Sequence, residues 1–161
     1  MEEIKERCIS KKEYLEKYDS NVGYALYVQD NIKKDDYARL NVGEIVRVIE
    51  IRENQVNKKA IYFGIYDDDW CDSAAVENFS ENIIDLIEVG DYVNGEEVID
   101  FYLDYYGENN SKHIRYGVIT KYSNRYGNTL YIKQEQIKSI LTHEQYNANC
   151  YKIDTKITNL I

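Results

Sequence analysis

Proline is absent from this chain of 161 residues, which excludes rigid X-Pro turns, Pro-rich linkers and cis-proline switches. Cysteine is scarce: Cys8, Cys71 and Cys150 are widely spaced and odd in number. That argues against a disulfide framework and predicts a reducing, cytoplasmic compartment. No apolar run approaches a membrane span, and the charged opening MEEIKERCISKKEYLEKY is not expected to act as a signal peptide. The chain also lacks a phosphate loop, a dinucleotide glycine motif, HExxH and paired CxxC. We therefore expect no enzymatic activity and no cofactor. The two histidines, His113 and His143, lie in polar surroundings and are expected to be exposed rather than ligating. Cys71 has acidic neighbours, which oppose a reactive thiolate.

The most informative absence is of one sign of charge. Residues 60–111 contain fourteen Asp and Glu and no Lys, Arg or His, whereas the whole chain carries −9. Residues 1–59 balance twelve acids against twelve bases, and residues 112–161 hold eight bases and three acids. A one-sign surface repels nucleic acid and attracts proteins that bind it. The bland alternative is a solvated face that keeps the protein soluble.

What is present is mostly tyrosine. There are seventeen Tyr against three Phe and one Trp, so the apolar content of 43% is rich in side chains that bury a ring and keep a hydroxyl. Tyr favours strands and interfaces. The chain has the length of one domain or two very small ones. Residues 2–18 read as a helix, with Ser10 and Glu13 as a capping box for residues 11–18. Residues 22–28 (VGYALYV), 45–51 and 60–66 read as strands, and DDDWCDS as an acidic loop. Asn94–Gly95 is a two-residue hairpin signal. GENNSKH, residues 107–113, reads as a loop, residues 114–134 as a hairpin pair and 137–142 as a short final strand. Thr142 reads as the cap of a last helical turn.

A weak repeat relates Leu40-Asn-Val-Gly-Glu-Ile-Val to Ile87-Glu-Val-Gly-Asp-Tyr-Val, 47 residues apart. Tandem small barrels would account for it. The expected architecture is mainly β (α+β): an N-terminal helical segment over 1–20, a first barrel-like unit over 21–86 and a second over 87–161.

The segment NIIDLIEVGDYVNG, residues 82–95, resembles a signature of small uncharacterised proteins of Firmicute phages and prophages. The ending IKSILTHEQY, residues 137–146, is similar to theirs too. The resemblance covers about residues 80–152. It implies a phage accessory protein acting in the infected host's cytoplasm, of the kind that blocks host defence as anti-CRISPR proteins do. It implies no catalytic residue.

The residues expected to meet a partner are Asp67, Asp68, Asp69, Trp70 and Asp72 in the acidic loop. With them go Glu88, Asp91, Glu96, Glu97, Asp100 and Asp104 of the second unit. Trp is a frequent interface anchor, although Trp70 could equally be the core Trp of the first unit. The acidic loop fails the EF-hand pattern, so no metal site is expected there. The expected partner is a host protein with a basic surface, whose Lys and Arg already suit phosphates. No membrane is expected, and duplex nucleic acid is disfavoured by the net charge. Against this, Lys112, Arg115, Tyr116, Lys121, Tyr122, Arg125, Tyr126, Tyr131 and Lys133 interleave bases with aromatics. They could serve a nucleic-acid-binding barrel or a homo-oligomer contact. A Tyr-walled sponge for a nucleotide signal is a third reading.

Overall fold

The computed structural model describes residues 9–53, 59–64, 68–106, 112–123 and 130–149. Its order opens with two helices, α1 (Lys11–Tyr18) and α2 (Asn21–Asn31). The Ser10 hydroxyl accepts from Glu13 N at 3.2 Å, which starts α1 as the capping box predicts. Asp19 in the left-handed region, at φ 48°, ends it.

Helix α2 corrects the strand expected over residues 22–28. Ser20 caps it by accepting from Gly23 N at 2.9 Å. Tyr24, Val28 and Ile32 then fall four residues apart and are all buried. The β-formers of VGYALYV suggested a strand, but the cap and this helical spacing decide. The helical segment therefore runs to residue 31, past the expected limit at 20.

Among the described residues the strands form three antiparallel sheets and no closed barrel. Strands β1 (Tyr37–Leu40), β2 (Ile45–Arg47) and β6 (Val76–Ser80) form one sheet in the order β2-β1-β6. Strands β3 (Glu50–Glu53), β4 (Lys59–Tyr62) and β5 (Trp70–Asp72) form the second. Only Val48 and Ile49 separate β2 from β3, so one bent stretch serves both sheets. Trp70–Asp72 is thus a paired strand, Tyr62 opposite Trp70, and not part of a loop. A 3-10 turn over Ser73–Ala75 leads from β5 into β6.

The third sheet has the order β10-β7-β8-β9, with β7 (Tyr92–Val93), β8 (Glu96–Tyr106), β9 (Lys112–Thr120) and β10 (Ile140–Leu141). Asn94 (φ 52°) and Gly95 (φ 83°) make the predicted tight turn between β7 and β8. Residues 124–129 of the expected hairpin pair lie outside the described residues. Among those described, its second arm meets β9 through a single bridge, Val118–Ile132. Thr142 caps α3 (His143–Asn149) as expected, exchanging hydrogen bonds with Gln145.

Two clusters of buried side chains form among the described residues. Tyr24, Val28, Val48, Ile61, Val76 and Phe79 belong to the first, and Ile84, Ile87, Val93, Val98 and Val118 to the second. The two copies of the sequence repeat make similar turns ahead of β2 and β7, with Gly43 at φ +89° and Gly90 at φ +96°. Both positions call for glycine, which has no Cβ to clash there. Among the described residues no helix is long and apolar enough to cross a membrane.

Candidate functional site

Strand pairing sorts the second sheet into two faces. Ile51, Ile61 and Cys71 share a cross-strand row and pack on the first cluster. By alternation, Glu50, Arg52, Tyr62, Trp70 and Asp72 stand on the other face. Trp70 is 48% exposed there and is not a core tryptophan. Its ring lies 6.4 Å from that of Tyr62, and the Arg52 guanidinium sits 4.2 Å over Tyr62. Tyr62 flanks the indole at a tilt of 34° without covering it. Asp68 and Asp72 are exposed beside it and Asp69 is half-buried. Asp72 also accepts from Ala74 N at 3.0 Å and so starts the 3-10 turn. Asp67 lies outside the described residues.

On the inner face, burial first, then Asp72 and Glu44, push the Cys71 thiol up to about 11. This agrees with the expectation of an inert thiol. Cys8 and Cys150 lie outside the described residues. At pH 7.5, folded-state alkylation of Cys71 should run more than ~100-fold slower than that of a free thiol, following its small thiolate fraction. Mass spectrometry of iodoacetamide-treated protein checks this, and labelling of Cys71 at the denatured rate would contradict it.

The acids of the second unit divide. Asp100 and Asp104 are exposed on β8. Asp91 is fully buried, which removes it as a partner-binding residue. Glu88 spends one oxygen on Arg39 at 2.9 Å. Glu96 accepts from the Thr120 hydroxyl at 2.7 Å, and Glu97 pairs with Lys121. Lys11 approaches Glu77 at 3.6 Å. Bases missing from residues 60–111 are thus supplied by the flanks, and the outward field is smaller than the sequence count.

The strongest polar constellation centres on Arg39 of β1, only 1% exposed. Its guanidinium grips Asp91 with two bonds, Nη1 to Oδ2 at 2.6 Å and Nη2 to Oδ1 at 3.0 Å. Nη1 also donates to Leu86 O at 3.0 Å, Nη2 to Glu144 Oε2 at 2.6 Å, and Nε meets Glu88 Oε2 at 2.9 Å. Four of the five N–H donors of the fork make hydrogen bonds, and Nε is ion-paired with Glu88. Burial alone would lower the Arg39 pKa, but Asp91, Glu88 and Glu144 outweigh it and raise it, so the residue stays charged. Asp91 in turn accepts from Glu88 N at 2.7 Å and His143 N at 2.8 Å. Arg39 therefore ties β1, the turn before β7 and the start of α3 together.

Arg115 of β9 works in parallel. It donates to the carbonyls of Ile84 at 3.1 Å and Ile87, with its guanidinium 3.9 Å over Phe101. Two arginines thus collect the carbonyls of residues 84–87, the middle of the NIIDLIEVGDYVNG segment. A cleft of about 810 Å3 opens beside them, lined by Glu13, Glu16, Arg39, Glu77, Glu88 and Arg115 among others. Its mixed charge selects no class of ligand.

No family model matches the chain, and neither a curated protein nor a solved structure matches it. The site rests on its own geometry. Arg39 and Glu144 were not singled out by the reading of the sequence. His143, expected to be exposed rather than ligating, keeps a side chain 37% exposed, with its Nε2 3.1 Å from Glu88 and 3.2 Å from Glu144. Only the position of His143 right after the capping Thr142 hinted at an ordered place.

Proposed function

We propose that this chain is a non-enzymatic binding protein that presents Trp70, rimmed by Asp68, Asp69 and Asp72, to a basic surface of a partner protein. The exposure of the single Trp on a paired strand supports this. A strand holds the indole in place, so little ordering entropy is lost on contact. Carboxylates around an aromatic anchor are the complement of Lys and Arg arranged for phosphates. With the phage resemblance, the partner would be a nucleic-acid-handling or defence protein of the bacterial host, and the chain an anti-CRISPR-like inhibitor. We read the bent β2–β3 stretch and the 3-10 turn before β6 as an open barrel-like arrangement that supports the anchor. The narrowed acidic surface favours this local patch over mimicry by the whole of residues 60–111.

The test is capture from a nuclease-treated lysate of a Firmicute host by immobilised protein. A basic partner should be retained by the wild type and released as salt rises. The triple variant Asp68→Asn, Asp69→Asn, Asp72→Asn should retain at least ~10-fold less, mainly through slower association, with its melting temperature unchanged. Asn preserves the capping geometry at position 72. Equal retention by the variant would sink the acidic-rim proposal.

A second reading has its own observation. Tyr102 and Tyr131 stack at 4.7 Å and 11°, Tyr116 meets both edge-on, and Lys133 lies 5.8 Å from the Tyr116 ring centroid. Gly117 makes room, since a Cβ there would come within 2.3 Å of the Tyr131 ring. Such a platform suits base stacking. A mobility shift with single-stranded oligonucleotide at about 150 mM salt, lost in Tyr131→Ala, would favour this reading over the first.

A further inference from the structure

We propose that Glu88, His143 and Glu144 form a site for a divalent transition-metal ion of the zinc class, which pins α3 to the turn before β7. Their donor atoms all lie within 4.8 Å of one another. His143 Nε2 is 3.1 Å from Glu88 Oε1 and 3.2 Å from Glu144 Oε1. A tetrahedral ion with bonds of about 2.0–2.2 Å spaces its ligand atoms by about 3.3 Å. Both imidazole–carboxylate separations are therefore close to what such an ion needs, and the two carboxylate oxygens lie within 4.8 Å of each other.

Three features point to a cation. The first is orientation. The second oxygen of each glutamate is held by the same buried guanidinium, Glu88 Oε2 by Nε at 2.9 Å and Glu144 Oε2 by Nη2 at 2.6 Å. Arg39 thereby presents both Oε1 atoms to His143, the role that outer groups play around bound metals. The second is charge. Glu88, Asp91 and Glu144 converge on one guanidinium, which leaves two negative charges when His143 is neutral. A divalent ion balances them. The third is donor type. An imidazole beside two carboxylates suits zinc-like ions, whereas calcium and magnesium prefer oxygen alone. All three side chains are partly open to solvent, so a fourth position is left for water.

The competing account is a protonated His143 that bridges the two glutamates with no metal. Calorimetric titration of the full, chelator-treated chain with zinc, calcium and magnesium chlorides separates the two. The expected result is one zinc per chain with a Kd of roughly micromolar or tighter, and no comparable response to the other ions. His143→Ala and Glu88→Gln should each weaken zinc at least ~10-fold. Glu88→Gln serves if His143→Ala misfolds, because Glu88 is exposed. Cysteines and His113 could also take zinc, so cobalt(II) should give visible bands without the thiolate charge-transfer band of a cysteine site. Zinc binding unchanged in both variants, a thiolate band, preference for calcium, or no binding up to ~100 µM zinc would each overturn the proposal.

Discussion

Arg39→Ala is expected to destabilise the protein by about 3–5 kcal/mol, the usual cost of removing one partner from a buried ion pair. The substitution strips Asp91, which is fully buried, of both guanidinium bonds. It also leaves Glu88 and Glu144 facing that carboxylate with no cation between them. For a chain of this size the loss corresponds to a fall in melting temperature on the order of 10 °C. Arg39→Lys keeps the charge but cannot reproduce the two-pronged bond, so it should fall between wild type and alanine. Thermal unfolding by circular dichroism reads all three. A shift below ~2 °C for Arg39→Ala would show that the junction contributes little to folding.

Trp70→Ala should act in the opposite way. Loss of an interface anchor typically costs at least ~2 kcal/mol of binding, a drop of about 30-fold in affinity for the captured partner. Stability should change little, because the indole is 48% exposed and its ring contact is with Tyr62. Removing that contact costs about 0.5–1.5 kcal/mol. Phe79→Ala is the control for a core aromatic, since Phe79 is fully buried in the first cluster. It should cost about 3–5 kcal/mol while leaving the Trp70 face intact. If Trp70→Ala binds normally, the anchor proposal fails. If it melts as far down as Phe79→Ala, the indole is a stability element.

Local chemistry was legible from the residues themselves. The Ser10 and Thr142 caps, the Asn94–Gly95 turn and the mainly β character arise from bonds and dihedrals spanning a few positions. The direction of the Cys71 shift was legible from Asp72 beside it in sequence, but its largest cause, burial, came only with the fold. Where two local signals competed, the sequence by itself was ambiguous. The β-formers of VGYALYV suggest a strand, and burial of Tyr24 and Val28 against β1 and β6 partners settles it as a helix. Trp70 could be core or surface until its register with Tyr62 placed it on the outer row.

The junction was beyond local reading altogether. Arg39 meets Asp91 at a separation of 52 residues and Glu144 at 105. Fourteen acids in one stretch look alike as letters. Composition determined that bases for them had to come from the flanks or from a partner. Tertiary structure alone decided which acid is buried on a guanidinium, because a charge enters the interior only where the chain brings its counter-charge and hydrogen-bond partners to the same point.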